Sequence, residues 1–141
     1  MNSILKSIKS LLGVEDSYTH FDDAIMMHIN TTLMTLTQLG VGPSSGFAIK
    51  DDSATWSDYV PESTLARIEA IKTYVYLNVR LLFDPPINSS HIEAINRQIA
   101  MLEWRINAAV DYKETVNVEA EIDKVIDIQN QYIESKGGED T

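Results

Sequence analysis

A chain of 141 residues, 44% of them hydrophobic, is long enough for one domain with its own core and too apolar to stay unfolded. It contains no cysteine, which excludes disulfides, thiolate metal sites and cysteine nucleophiles. Its formal net charge of −10 argues against gripping DNA by phosphate neutralisation, which needs clustered Lys and Arg.

The charge is uneven. Residues 111–141 hold nine acidic and three basic side chains, a net −6. No segment approaches the roughly 18 consecutive apolar residues of a membrane span. Near the start, Ile4, Ile8 and Leu11 share one helical side with Leu5 and Leu12 beside them, and Gly13 supplies a stop. Lys6 and Lys9 interrupt the apolar positions at helical spacing. That pattern reads as an amphipathic helix of a cytoplasmic protein, not as a signal peptide.

Thr19-His20-Phe21-Asp22 has capping-box spacing, with Asp for the usual Glu. The helix it predicts carries Phe21, Ile25, Ile29, Leu33, Leu36 and Leu39, and ends at Gly40-Val41-Gly42-Pro43. Four threonines weaken its local propensity, so burial of the apolar face must hold it. Residues 40–60 have no helical period. Turn signals surround a short extended piece, Phe47-Ala48-Ile49, and Trp56 and Tyr59 close the segment. A loop of this length is functional or ordered by a neighbour. Its two aromatics either plug the end of a bundle or anchor a protein contact.

Pro61–Pro86 is the most legible stretch. Leu65, Ile68, Ile71, Val75, Val79 and Leu82 recur at steps of three or four, the signature of one helical face. Pro61 suits a first helical position, and Asp84-Pro85-Pro86 stops the helix. Tyr74, Tyr76, Leu77 and Leu81 add a second apolar stripe. A helix apolar around more than half its circumference is the centre of a bundle, or an element that also meets another subunit. Asn88-Ser89-Ser90 matches a glycosylation triplet but reads as a turn plus helix cap, with Ser90-His91-Ile92-Glu93 as a capping box. The helix that follows has a seam of Ile92, Ile95, Ile99, Leu102, Ile106 and Ala109, with Trp104 off it. Residues 111–117 read as an extended linker. A last helix over about 118–134 presents Val118, Ile122, Val125, Ile126 and Ile133 against an acidic opposite face.

The sequence therefore predicts an all-α protein: a small helical bundle with a long loop and an extended C-terminal arm ending in a helix. The division is 1–110 for the bundle and 111–141 for linker and arm. No catalytic constellation, metal-ligand spacing or phosphate-cradling glycine pattern is present, so neither an enzyme nor a cofactor is expected. Excess apolar helix faces, an aromatic-ended loop and an acidic arm point to a subunit of an assembly.

Phe21-Asp22-Asp23-Ala24-Ile25, Leu39-Gly40-Val41-Gly42-Pro43, Thr55-Trp56-Ser57-Asp58-Tyr59, Ile71 to Leu77, Leu82 to Pro86 and Leu102-Glu103-Trp104-Arg105 resemble head–tail connector (adaptor) proteins of long-tailed bacteriophages. The likeness is closest to those of phages that infect Gram-positive bacteria, and it covers residues 1–110. The resemblance implies a structural virion protein of the neck, assembled in the host cytoplasm as a homo-oligomeric ring of about twelve copies. Such a ring sits between the portal protein and a tail-side protein, and double-stranded DNA passes its channel without specific binding. By this analogy Val116, Val118, Ile122, Val125, Ile126 and Ile133 are candidates for a portal-binding arm. Tyr74, Tyr76, Leu77, Leu81 and Trp104 are candidates for the subunit interface, and Phe47, Ile49, Trp56 and Tyr59 for a tail-side or lumen contact. The alternative reading is a small helical DNA-packaging or regulatory protein, for which the scattered basic residues would have to converge.

The core assignment has a direct test. Val75→Asp should unfold the domain by burying an unpaired charge. A variant with unchanged helical circular dichroism and unchanged thermal midpoint would show that this face is not core.

Overall fold

The computed structural model describes residues 2–137, and within them the side chains of 110–117 lie outside the described residues. Five helices follow in order: α1 (Ile4–Leu12), α2 (Asp22–Gln38), α3 (Trp56–Tyr59), α4 (Leu65–Phe83) and α5 (Ser89–Gly137). The protein is all-α, as its periodicities predict. It divides into two compact units, Met1–Asn107 and Ala108–Thr141.

In the first unit α1, α2 and α4 pack on one another. Helix α1 is capped at both ends. Ser3 Oγ accepts from the Lys6 N–H, and Gly13 turns into the left-handed region at φ 78° to satisfy the last carbonyls. Ile4, Leu5 and Ile8 are buried. Lys9, read from sequence as part of a polar face, is only 2% exposed. Its ammonium donates to the carbonyls of Asp16 (3.2 Å) and Tyr18 (2.9 Å) and pairs with Asp22 Oδ1 (2.8 Å). Two carbonyls thus accept from the ammonium and a carboxylate balances its charge, which is what a buried lysine requires.

That ion pair explains why the predicted capping box of α2 does not form. Phe21 is the N-cap residue and makes no side-chain cap bond. Asp22 is committed to Lys9 instead, and Asp22 and Asp23 together place negative charge at the helix N-terminus. Ile25, Ile29, Leu33 and Leu36 are buried, as their spacing predicts, whereas Phe21 is 40% exposed. The hydroxyls of Thr31, Thr32 and Thr37 donate to carbonyls four residues back. The threonines thus stay satisfied inside a helix they do not favour.

Helix α4 supplies Ile71, Tyr74, Val75, Leu77 and Val79 to the core. It starts at Leu65 rather than at Pro61. Thr64 Oγ1 accepts from the Arg67 N–H, a cap that proline cannot offer, and Pro61 and Glu62 form a turn before it. Leu65 and Leu82, the two ends of the predicted stripe, are exposed. Helix α5 is capped by Asn88, whose Oδ1 accepts from the Ser90 N–H at 2.8 Å. Ser90, the predicted cap, therefore lies inside the first turn. Of the predicted seam only Ile106 is fully buried; Ile92, Ile95, Ile99 and Leu102 are half-buried and Ala109 is exposed.

Residues 111–117 are helical, not extended, and α5 continues unbroken to Gly137. No Gly or Pro occurs between Ser89 and Lys136. Two β-branched residues in the segment, Thr115 and Val116, cost only a few tenths of a kcal/mol each, too little to end a helix. The last residues of the predicted 111–141 arm, 138–141, lie outside the described residues.

Lys9→Met should lower stability by about 3 kcal/mol, because Asp22 and two carbonyls lose their partner together. A urea titration that finds the midpoint unmoved would refute this role for Lys9.

Candidate interaction surfaces

The 40–60 segment is ordered by its own chain. Asn30, on α2, clamps Ile49 from both sides: Nδ2 donates to the Ile49 carbonyl (3.0 Å), and Oδ1 accepts its N–H (2.8 Å). One side chain thus does what a paired strand would do for the extended piece. Further along, Thr55 and Asp58 form a reciprocal capping box that starts α3. Residues 54–56 meet the N-terminus: Ser3 bridges Thr55, the Ile4 N–H donates to Ala54 O, and the Trp56 N–H donates to Asn2 O. Inside, Trp56 Nε1 donates to Ser7 Oγ at 2.9 Å.

These bonds decide the fate of the loop candidates. Ile49, Trp56 and Tyr59 are core residues, between 0 and 4% exposed, and so offer no contact surface. Tyr59 lies beneath Gly42, where a Cβ would collide with its ring. Gly42 also adopts φ 76°, so both space and backbone conformation require glycine there. Of the four loop candidates only Phe47 remains half-exposed, its ring tilted at 48° against Tyr59 with centroids 5.1 Å apart. It borders an open groove of about 870 Å³ between α2 and residues 44–50, in which Met27 and Met34 are exposed.

The α4 stripe divides in the same way. Tyr74 and Leu77 are buried within the unit, so a second subunit does not cover them. Tyr74 Oη donates to Glu103 Oε1 of α5 at 2.7 Å, which gives the off-seam Glu103 a task. Tyr76, which accepts from Arg80 Nη1, and Leu81 are half-buried. Trp104 is 72% exposed. The outward remainder of the predicted interface is thus Tyr76, Leu81 and Trp104.

In the second unit, Val118, Ile122, Val125, Ile126 and Ile133 are all exposed, together with Ile128 and Tyr132, which sequence reading left out. The Val116 side chain lies outside the described residues. At 100° per residue these seven positions fill an arc of about 160°. The seam of a two-helix coiled coil is narrower. Asp123, Asp127 and Glu134 occupy the opposite side.

A third exposed surface was not foreseen. Tyr18, His20, Phe21 and Phe83 form a chain of touching rings, with Phe21 edge-on to Tyr18 (5.6 Å), His20 (5.1 Å) and Phe83 (5.3 Å). Spacing gives no hint of it, because it joins a loop to the end of a helix sixty residues later. Among the described residues, no three His, Asp or Glu side chains converge as metal ligands. No helix there is long and apolar enough to cross a membrane.

A family model described as phage connector protein matches residues 4–113. No curated protein and no solved structure matches the chain.

Two buried tyrosines make stability sensitive to alkali. Burial pushes the Tyr59 hydroxyl well above the usual tyrosine range. Burial, and then the bond to Glu103, does the same for Tyr74. In the unfolded chain both ionise near pH 10; in the folded chain both keep their proton. Their contribution is therefore intact below about pH 10 and declines above it, by up to about 1.4 kcal/mol per pH unit for each tyrosine. Between pH 9 and 11 the thermal midpoint of Tyr74→Phe should fall less steeply than that of the parent. Parallel slopes would mean that Tyr74 ionises freely in the fold.

Proposed function

The chain belongs to the phage connector protein family, and we propose that it is the ring-forming subunit that joins portal to tail in the virion neck. The observation that carries this reading is the apolar arc of the second unit. Seven large apolar side chains stand exposed on one side of α5 between Val118 and Ile133. Burying one such side chain is worth roughly 1.5–3 kcal/mol, so a surface of this kind is kept for a partner. An arc of about 160° needs more than one facing element, and a cleft between portal helices would supply it. We assign the portal-binding role to this arm, Val116–Ile133.

The ring interface uses Tyr76, Leu81 and Trp104, the α4 and α5 candidates that the core leaves accessible. Aromatic residues of this kind anchor interfaces. On the tail side we place Phe47 and the methionine-lined groove beside it, since Met adapts to varied partners. The acidic balance of the chain suits a channel through which DNA slides without adhering. No step of this role calls for catalysis or a cofactor.

The test is co-assembly with the portal protein of the same phage. Full-length chain mixed with portal should give ring-shaped complexes in electron micrographs. A chain ending at Tyr112 should keep its helical fold, because the first unit ends at Asn107, yet bind portal about tenfold more weakly or worse. Unchanged affinity of the shortened chain would remove the arm from the interface. A persistent full-length monomer that ignores portal at every concentration would remove the ring reading itself.

A further inference from the structure

We propose that the aromatic patch around Tyr18 and Phe21 is a docking site for a cationic segment of another protein, one that carries an aromatic or aliphatic anchor between Lys or Arg residues. This goes beyond the neck-ring reading and does not depend on it.

Tyr18 is 49% exposed and Phe21 40%, and their rings meet edge to face. Beside them lie two shallow hollows of about 320 and 230 Å³ that share Gly13, Val14 and Glu15 as walls. Together they make a short groove in which Val14, Tyr18 and Phe21 supply the apolar surface and Ser10, Glu15 and Asp16 the polar one. Its wall is rigid. The Val14 N–H donates to Lys9 O and the Tyr18 N–H to Glu15 O, while Lys9 Nζ holds the carbonyls of Asp16 and Tyr18 from beneath. Aromatic rings fixed before the partner arrives lose little conformational freedom on binding, which favours them as anchors.

Charge selects the occupant. Glu15 and Asp16 stand exposed on the groove. The one cation beneath it, Lys9, is buried with its donors committed to Asp22 and the two carbonyls. The rim is thus anionic around an aromatic floor, a surface that attracts Lys and Arg both by charge and by cation–π contact. A second copy of the chain does not fit. Lys6 and Lys9 are the only basic residues within four positions of each other; Lys9 is buried and Lys6 pairs with Asp52 at 3.4 Å. The chain therefore has no cationic segment to offer, and its own net charge opposes self-docking.

The experiment uses the full chain and two fluorescein-labelled synthetic decapeptides, each with one central tryptophan, one flanked by lysines and the other by glutamates. Fluorescence anisotropy should show saturable binding of the lysine peptide, with the glutamate peptide at least about tenfold weaker. Tyr18→Ser and Glu15→Lys should each weaken the lysine peptide about tenfold, while Met27→Ser, in the groove beside α2, leaves it unchanged. Should Tyr18→Ser lose helical content, Glu15→Lys decides alone, since its side chain is exposed. The proposal is overturned by the absence of saturable binding, or by equal binding to the Glu15→Lys variant. It is also overturned if sedimentation shows a self-association that Glu15→Lys or Tyr18→Ser abolishes, because the patch would then belong to a second copy.

Discussion

The first unit is organised around the buried ammonium of Lys9. A lone charge in that position would be several kcal/mol too costly to keep. It is tolerated because three groups from two segments converge on it: the carbonyls of Asp16 and Tyr18 from the loop, and the Asp22 carboxylate from the first turn of α2. The convergence fixes where α1 lies relative to α2, and it fixes the path of the chain between them. The exposed rings of Tyr18 and Phe21 sit on that path. A core interaction thus sets the geometry of a surface.

The same device recurs where the chain has no regular structure. Asn30 closes both hydrogen bonds of Ile49, and Thr55 with Asp58 starts a helix of a single turn. The bond from Trp56 Nε1 to Ser7 Oγ ties the end of the long loop to the first helix. The Asn30 and Trp56 bonds place polar groups inside the unit only where partners already wait, so burial does not leave them unsatisfied. The result is a loop of some twenty residues that lends Val41, Ile49, Trp56, Tyr59 and Val60 to the core while its turns stay exposed and Phe47 stays half-exposed.

Periodicity was enough to read the helices and most of the core. Ile25, Ile29, Leu33, Leu36, Ile71, Val75 and Val79 are buried where their spacing puts them. Spacing could not say which apolar residues a second layer would cover. Tyr74 and Leu77 look like a surplus stripe on α4 because Glu103, the acceptor for Tyr74, lies 29 residues away in sequence. Nor could it reveal Lys9, since a lysine at helical spacing reads as solvated until three acceptors from elsewhere surround it. Residues 111–117 misled in the opposite direction. Their composition is weakly unfavourable to helix, but without Gly or Pro the flanking helical segments carry through. The arm remained legible because helical spacing alone describes where its apolar residues stand.

What distinguishes this chain from an ordinary small bundle is how its apolar residues are divided. In the first unit the large side chains Trp56, Tyr59 and Tyr74 are almost fully enclosed, and each has a hydrogen-bond partner for its polar atom. In the second unit seven apolar side chains stand in the open on a helix with an acidic back. A sequence under pressure only to fold would not keep both. The enclosed set holds the first unit together, and the exposed set lies beside an acidic side whose like charges oppose non-specific association through the arc. That balance tips when a partner covers the apolar arc. In a phage connector protein, an apolar arc of this kind on a helix with an acidic back is where we place the proposed partner contact.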